Sequence, residues 1–331
     1  MRIAAFGVRP SERPYFAKWA AQTGDALDLH PELLTTETVG WAQGAQAVTC
    51  FQTVPYVPGV FAGLKAQGIT TLALRNTGTD NVDFAAAAQH GVAITNVPAY
   101  SPAAIAEFAI ADMLYLLRHT GLVQQDLQAD RYQQATTHLG RELNSCTVGV
   151  VGTGRIGRKL IGLLNGFGAK VLTHDTHDAQ LPGLTHTPVP LSQLLAQSDI
   201  VSLHVPGTAA NHHLIDAAAL ATMRPGAILI NTGRPNLVDT KALVAALASG
   251  QLGGAGIDTY ENETQDLLAL SHRGHFRDPQ WQALLAQPNV LLSPHIAYYT
   301  QTAVQSMVDT ALACLHELAD RGTSALLVSG D

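Results

Sequence analysis

Three kinds of chemically capable side chain follow apolar segments of this sequence. Arg234 comes after GAILINTG, Glu261 and Glu263 come after GGAGID, and His295 comes after NVLLSP. A guanidinium can hold a carboxylate through two parallel hydrogen bonds, which a lysine cannot imitate. An imidazole exchanges a proton near neutral pH, and a carboxylate bonded to it favours the charged ring. Together these side chains could bind a carboxylate-bearing molecule and donate one proton to it.

Each of these residues also has a simpler explanation when it is taken alone. The sequence contains 14 histidines, so an arbitrary histidine is seldom catalytic. An arginine between Gly233 and Pro235 more often anchors a loop through an ion pair. His204 also follows an apolar segment, but no acidic residue has a matching position, so we interpret it as structural. Only the combination therefore indicates a catalytic site.

A glycine-rich turn is the most specific motif. VGVVGTGRIGRKL places Gly152, Gly154 and Gly157 in GxGxxG spacing, directly after a predicted strand and before a predicted helix. The glycines permit a tight turn, close approach of the backbone to a pyrophosphate, and close packing of helix on sheet. Asp175 ends the next apolar segment, where a carboxylate binds ribose hydroxyls and repels a 2′-phosphate. We therefore predict NAD as the cofactor, with a similar turn lacking any cofactor as the alternative.

The elements around these motifs alternate between short apolar segments and helix-patterned ones. Such alternation predicts βαβ units and parallel sheets, in which ligands gather at the carboxyl ends of the strands. A long amphipathic stretch follows Pro102, and the C-terminal stretch TQTAVQSMVDTALACLHELAD is also helical in pattern. We predict an α/β fold of two doubly wound parallel-sheet domains, one of residues 1–100 plus 299–331 and one of residues 101–298.

The composition limits the class of protein. With 331 residues, of which 47% are hydrophobic, the chain is long enough for two domains that each bury a core. A formal net charge of −7 argues against a nucleic-acid partner, which usually needs a basic face. The three cysteines form no metal-ligand spacing or disulfide framework, and no long apolar stretch predicts a membrane span. We expect a cytoplasmic protein whose partner is a small molecule.

Taken together, these motifs resemble the D-isomer-specific 2-hydroxyacid dehydrogenases over nearly the whole chain. The segments that carry the resemblance are LRNTGTDNVD, NVPAYSPAAIAEFA, VGTGRIG, SLHVPG, INTGRPNLVDT, GIDTYENET and PNVLLSPHIAYYT. Within that family, RPNLVDT, GIDTYENETQDLL and SPHIAYYT are most similar to the D-2-hydroxyisocaproate dehydrogenases. The resemblance implies a Rossmann NAD-binding domain, a smaller flavodoxin-like substrate domain, and a homodimer. It also implies NAD-dependent, reversible reduction of 2-oxo acids, such as 2-oxoisocaproate, to (R)-2-hydroxy acids.

The resemblance assigns a role to individual positions. It implies that Arg234 holds the substrate carboxylate, that His295 is the proton donor, and that Glu263, rather than Glu261, is the partner of His295. The positions that it places beside the cofactor are Gly152, Gly154, Arg155, Ile156, Gly157, Asp175, Val205, Pro206, Asn211, Thr232, Gly233, Arg234 and Asp258. The positions that it places beside the substrate are Phe51, Asn76, Thr77, Gly78, Tyr100, Arg234, His295 and Tyr298.

Two positions depart from the family's pattern, and two alternative functions stay open. Gly233 replaces a serine or alanine and could loosen the backbone before Arg234. Phe51 stands where lactate-preferring relatives tend to have tyrosine and the hydroxyisocaproate type has leucine, so the pocket should be apolar. Tyr100 could be a packing residue at a hinge. The alternatives are a D-lactate dehydrogenase that prefers pyruvate and an NAD-sensing interaction protein on the same fold.

Overall fold

The computed structural model describes residues 1–177, 181–263 and 278–330. Residues 264–268, the last part of the GIDTYENETQDLL segment, lie outside these ranges. The strands are β1 (Arg2–Phe6), β2 (Ala26–Leu29), β3 (Ala47–Cys50), β4 (Thr71–Leu74), β5 (Ala93–Thr95), β6 (Thr147–Val151), β7 (Lys170–His174), β8 (Thr187–Pro188), β9 (Ile200–Leu203), β10 (Ala227–Asn231), β11 (Leu252–Ile257), β12 (Val290–Leu292) and β13 (Leu327–Val328).

The helices of these ranges alternate with the strands. They are α1 (Arg13–Thr23), α2 (Pro58–Ala66), α3 (Phe84–Gln89), α4 (Pro102–Leu117), α5 (Thr120–Gln128), α6 (Tyr132–Ala135), α7 (Arg155–Phe167), α8 (Leu191–Gln197), α9 (Ala217–Thr222), α10 (Thr240–Ala248), α11 (Pro279–Leu285) and α12 (Gln301–Arg321). Short 3-10 helices span Val39–Ala42, Leu143–Ser145, Ala209–Asn211 and Pro235–Leu237. The chain divides into two compact units, residues 1–101 with 299–331 and residues 102–298.

The unit of residues 1–101 and 299–331 is built on a sheet with the strand order β13-β5-β4-β3-β1-β2. Strands β1 to β5 are parallel to one another. Strand β3, with the sequence AVTC, is buried at every position, as expected for a parallel sheet that is covered on both faces. Strand β13 pairs antiparallel to β5, with Leu327 opposite Thr95, and the sequence pattern did not predict this strand.

The last helix, α12, completes the hydrophobic core of the same unit. Apolar residues recur along it every three or four positions, so that one face carries Val308, Ala311, Leu312 and Leu315. This face packs against residues of β1, β3, β4 and α1. Because burying one aliphatic side chain contributes roughly 1.5–3 kcal/mol, the face binds the C-terminal segment firmly to the N-terminal sheet.

The unit of residues 102–298 contains a parallel sheet with the order β12-β11-β10-β9-β6-β7-β8. The order reverses between the neighbouring strands β6 and β9, which places a crevice at their carboxyl ends. In β10, Ile228 and Ile230 pack with α4 and α7 on one face, whereas Leu229 packs with α9 and α10 on the other. Successive side chains of β10 therefore point to opposite faces of the sheet, and helices cover both faces.

These two sheets confirm the predicted fold class of two doubly wound α/β domains, one of them with the Rossmann strand order. The predicted helix after Pro102 is present as α4, and a second helix, α5, follows it after His119, whose φ of 50° is left-handed. Across the ranges that the structure describes, no helix combines the length and the apolar character needed to cross a membrane.

Candidate active site

The glycine-rich turn lies between β6 and α7 and has the three properties that its spacing predicts. Gly152 has a φ of 95°, and a Cβ there would lie 2.5 Å from the carbonyl oxygen of His204. A Cβ on Gly157 would lie 2.0 Å from the carbonyl oxygen of Gly152, so helix and strand are in close contact. Gly154 is the N-cap of α7, and the space beside it is open, since a Cβ there would meet no atom within 4 Å. An anion can therefore approach the positive end of this helix.

Asp175 follows β7 and is bonded to the same turn. Its Oδ2 accepts hydrogen bonds from the backbone N–H and the hydroxyl of Thr153 at 2.6 and 2.9 Å, and its Oδ1 accepts from the N–H of His177 at 3.0 Å. Burial alone would raise the pKa of Asp175, but these hydrogen bonds outweigh it, and the pKa is lowered. The carboxylate is therefore ionised at neutral pH and fixed in orientation, as an acceptor for ribose hydroxyls must be.

The other predicted cofactor positions lie at the ends of neighbouring strands. After β9, the side-chain amide of Asn211 donates to the carbonyl oxygen of Pro206 at 2.8 Å, and Val205 lies against Gly152. After β10, the Thr232 hydroxyl is buried and has no hydrogen-bond partner among the described residues. An unsatisfied buried hydroxyl, an open helix N-terminus and an oriented acid fit NAD well. Arg155 and Ile156 form the first turn of α7.

Arg234 has an extended backbone and leads into the 3-10 helix Pro235–Leu237. The side chain of Asn231, at the end of β10, accepts from the N–H of Gly233 and donates to the carbonyl oxygen of Arg234, both at 3.1 Å. Gly207 allows the stem of the arginine to approach, since a Cβ there would lie 3.0 Å from Arg234 Cβ. Asn231 therefore fixes both the N–H of Gly233 and the carbonyl group of Arg234, which restrains the backbone of this segment.

His295 and Glu263 form a hydrogen-bonded pair, with Nδ1 of the imidazole 2.9 Å from Oε1 of the carboxylate. Burial and the charge of the nearby Arg234 lower the pKa of His295. The hydrogen bond and the charge of Glu263, together with the charge of Asp258, raise it by more. The net shift is upward, so the ring stays protonated to a higher pH than an ordinary histidine. Nε2 remains as the atom that can transfer a proton.

Asp258 has a structural role that sequence reasoning missed. Its carboxylate accepts hydrogen bonds from the Ser293 hydroxyl and from the N–H groups of Ile296 and Ala297, the latter two at 2.9 Å. Its carbonyl oxygen accepts from the N–H of His295 at 2.8 Å. Because His295 has a left-handed φ of 55°, which a residue with a side chain rarely adopts, Asp258 stabilises the turn that carries it.

A second buried acid was also missed. Asp112, in α4, is only 2% exposed, and a Cβ on Gly256 would lie 2.9 Å from its Oδ2. Burial, with a smaller effect of the Asp258 charge, raises the pKa of Asp112 to about 8. The signal in the sequence was an acid among the apolar residues of a largely apolar helix, AAIAEFAIADMLYLL, whose other acid, Glu107, is exposed.

The other histidine at a strand end behaves as predicted for a structural residue. The Nε2 of His204 lies 2.9 Å from the Ser202 hydroxyl. Burial lowers the pKa of His204 to about 4, so the ring is neutral. It therefore supplies no proton near neutral pH.

The predicted substrate positions are divided between the two units. In the unit of residues 1–101 and 299–331, the Thr77 hydroxyl donates to the carbonyl oxygen of Val97 at 2.8 Å, and the Asn76 amide donates to the carbonyl oxygen of Gly78. The N–H groups of Thr77 and Gly78 donate no hydrogen bond within the described ranges. This loop is therefore held in place with donors available for an anion.

Three aromatic residues complete the predicted set. Phe51 is buried, and the guanidinium of Arg9, a residue that the sequence did not single out, lies 4.4 Å above its ring. Tyr100 is half-buried. In the other unit, Tyr298 is buried and its ring lies edge-on to His295, 6.4 Å away.

The chain is similar to proteins of known activity along its whole length. Residues 110–297 match the family model described as D-isomer specific 2-hydroxyacid dehydrogenase, NAD binding domain. A D-2-hydroxyacid dehydrogenase (NAD+) of Lacticaseibacillus paracasei is 51% identical over 330 residues, 100% of this chain and 99% of the relative. A D-lactate dehydrogenase of Lactiplantibacillus plantarum is 38% identical over 333 residues, 100% of both chains. The solved structure of a D-2-hydroxyisocaproate dehydrogenase matches with a TM-score of 0.93 and 51% identity over 100% of both chains.

Proposed function

Because this chain belongs to the D-isomer-specific 2-hydroxyacid dehydrogenases, as its motifs predicted, we propose that it reduces bulky, branched 2-oxo acids such as 2-oxoisocaproate to (R)-2-hydroxy acids. The enzyme is an NAD-dependent oxidoreductase. The observation that carries the proposed mechanism is the pair of His295 and Glu263, in which a buried carboxylate raises the pKa of an imidazole. Such a pair suits a general acid that works near neutral pH.

In this mechanism, Asp175, Thr232 and the glycine-rich turn would hold NADH, which would supply the hydride for the carbonyl carbon. Arg234 binds the substrate carboxylate with its guanidinium fork, which fixes the substrate in one orientation. His295 donates the proton from Nε2 to the carbonyl oxygen, and Glu263 orients the ring and stabilises its charged form. Asp258 keeps the turn of His295 in place. In the reverse reaction, neutral His295 accepts the hydroxyl proton.

The role that we propose for the loop of residues 76–78 is to donate hydrogen bonds to a carboxylate. Its carbonyl groups, the amide nitrogen of Asn76 and the hydroxyl of Thr77 are bonded, whereas the N–H groups of Thr77 and Gly78 are not bonded within the described residues. We propose that Asp175 and Thr232 contact the cofactor. Asp175 is an oriented hydrogen-bond acceptor, and the buried hydroxyl of Thr232 has no hydrogen-bond partner among the described residues.

The preference for bulky substrates is supported by two observations. Phe51 stands where the resemblance implies tyrosine in lactate-preferring relatives and leucine in the hydroxyisocaproate type, Tyr298 matches a pocket aromatic of the family, and both are buried here. The hydroxyisocaproate-type structure is 51% identical to this chain, against 38% for the D-lactate dehydrogenase of L. plantarum. Each methylene buried in an apolar pocket improves the binding free energy by roughly 0.8 kcal/mol. A branched side chain should therefore bind better than the methyl group of pyruvate.

The test is NADH oxidation with pyruvate, 2-oxoisocaproate and phenylpyruvate, followed by chiral analysis of the product. We expect kcat/KM for 2-oxoisocaproate to exceed that for pyruvate by about tenfold or more, from two or three buried methylenes, and the product to be the R isomer. Preference for pyruvate would identify a D-lactate dehydrogenase instead. No turnover of any of the three would favour an NAD-sensing interaction protein.

We also propose a homodimer, which light scattering on the purified chain would test.

A further inference from the structure

A cluster of two histidines and one glutamate lies outside the residues used so far. His212 and His213 follow the 3-10 helix Ala209–Asn211, and Glu261 follows β11. One possible ligand atom from each of the three lies within 4.8 Å of the other two. The Nε2 of His213 is 2.6 Å from Oε1 of Glu261, and the two imidazole rings are stacked with centroids 4.0 Å apart.

The backbone holds this cluster in place. His213 has a left-handed φ of 49°, and its N–H donates to the carbonyl oxygen of Asn236 at 2.8 Å. The N–H of the next residue, Leu214, donates to the carbonyl oxygen of Asn211 at 3.1 Å. The two imidazoles are therefore presented side by side by a turn that is bonded at both ends.

The chemistry of the three side chains is that of a ligand set for a transition metal. Imidazole nitrogens and a carboxylate oxygen suit Zn²⁺, Ni²⁺ and Co²⁺ better than Mg²⁺ or Ca²⁺, which prefer oxygen alone. Zn²⁺ binds such atoms at about 2.0–2.2 Å, which places neighbouring ligand atoms about 3.4 Å apart in a tetrahedral site. Modest side-chain rotations would bring the present atoms to that spacing.

The side chains are also accessible to an ion. The side chains of His213 and Glu261 are 30% and 28% exposed, and His212 is exposed. Among the described residues Glu261 forms no ion pair with a lysine or arginine, so no fixed cation competes for it there. Three protein ligands leave one coordination position for water, as in open zinc sites.

We propose that His212, His213 and Glu261 bind a divalent transition-metal ion, with Zn²⁺ as the test ion, and that the bound ion slows the dehydrogenase. Glu261 shares a turn with Glu263, whose N–H donates to the carbonyl oxygen of Tyr260 at 3.1 Å. An ion bound here would separate Glu261 Oε1 and His213 Nε2 from 2.6 Å to about 3.4 Å, and this would displace the turn that presents Glu263 to His295. The same movement of His213 would displace Asn236, whose carbonyl oxygen accepts from the N–H of His213 and which lies two positions beyond Arg234.

Binding is tested on the purified chain without cofactor or substrate, by calorimetric titration with Zn²⁺ alone. We expect one ion per chain at this site, with binding at least tenfold weaker in His212→Gln and in Glu261→Gln. His90→Gln is the matched control, because His90 lies in the other unit and has no acidic partner in the described ranges, and it should bind as the native chain does. Thermal unfolding of each variant checks that it folds. If the native chain and His212→Gln bound Zn²⁺ with the same affinity and stoichiometry, His212 would not be a ligand and the proposed site would be rejected.

The effect on turnover rests on the proposed function, so it is measured separately. Zn²⁺ should inhibit NADH oxidation by the native enzyme over the concentration range in which it binds, and His212→Gln should need at least tenfold more Zn²⁺. Without metal, His212→Gln should turn over within twofold of the native enzyme. Unchanged turnover when the site is saturated would overturn the regulatory role. A chain that binds Zn²⁺ but turns over no 2-oxo acid would keep the metal site and reject the proposed function.

Discussion

The buried carboxyl group of Asp112, in helix α4, lies within electrostatic reach of Asp258, the acid that stabilises the turn of His295. Two carboxylates so placed repel each other when both are ionised, and one of them is buried almost completely. Burial and the charge of Asp258 raise the pKa of Asp112 to about 8. At neutral pH, Asp112 is therefore mostly a neutral acid and adds little negative charge beside Asp258.

Asp112→Asn should stabilise the chain more at alkaline than at acidic pH. The pKa of this group is raised in the folded chain, so between about pH 4 and pH 8 the folded state holds a proton that the unfolded state has lost. The contribution of Asp112 to stability therefore falls over that window, by at most about 1.4 kcal/mol per pH unit, whereas asparagine does not titrate. Urea unfolding of both chains at pH 5 and pH 8 measures this, and an equal difference at both values would contradict it.

His295→Gln should lower kcat for 2-oxo acid reduction by about 10²- to 10⁴-fold, the usual contribution of a general acid. Glutamine can still accept or donate a hydrogen bond, but it cannot deliver a proton. The dissociation constant for NADH, measured by fluorescence titration, should stay within about threefold of the native value. A parallel loss of NADH binding would count against a role as the proton donor.

Glu263→Gln should move the alkaline loss of reductase activity to lower pH. In reduction the protonated ring is the active form, so kcat/KM falls as the pH rises through the pKa of His295. Glu263 is the main cause that raises this pKa, so its replacement by a neutral amide lowers it. The measurement is kcat/KM for 2-oxoisocaproate from pH 5 to pH 9. An unshifted profile would show that Glu263 does not control the protonation of the ring.

Arg234→Lys should weaken the use of 2-oxo acids while leaving the cofactor site intact. A lysine keeps the charge but loses the two parallel hydrogen bonds, so kcat/KM should fall about 10- to 100-fold. Steady-state kinetics with 2-oxoisocaproate at saturating NADH measures this loss. If kcat/KM were unchanged, Arg234 would not be the residue that holds the carboxylate.

Asp175→Ser should relax the preference for NAD over NADP. The substitution removes an anion that repels a 2′-phosphate and an acceptor for ribose hydroxyls. The ratio of kcat/KM with NADH to that with NADPH should fall about tenfold or more, at a cost of roughly 1–2 kcal/mol in NADH binding. A ratio equal to that of the native enzyme would exclude Asp175 as the residue that selects the cofactor.

Local patterns predicted the parts of this structure that depend on nearby residues. The glycine spacing predicted the turn before α7, and the alternation of apolar segments predicted two parallel sheets. These features follow from backbone geometry and the periods of helix and strand. The positions of Arg234, Glu263 and His295 at strand ends also came from the sequence, whereas the choice of Glu263 over Glu261 needed the family resemblance.

The missed features depend on contacts between residues far apart in the sequence. Asp112 and Asp258 belong to different elements, so nothing in the helical pattern of α4 shows that its one buried acid faces another acid. The antiparallel strand β13 is two residues long, too short for a period to appear. The guanidinium of Arg9 above Phe51 joins two loops of one unit. Such pairs are set by tertiary packing, which overrides local preference.

The position of helix α12 has a consequence for the order in which the chain folds during synthesis. The first unit needs α12 for its core, and this helix is made after all 197 residues of the second unit, which run without interruption from 102 to 298. On the ribosome, the first 101 residues are therefore made before the helix that packs against Ile3, Ala5 and Ala73 in the finished unit. A chain that ends before residue 301 leaves these apolar side chains without α12, and we expect such a chain to aggregate more readily than the full chain.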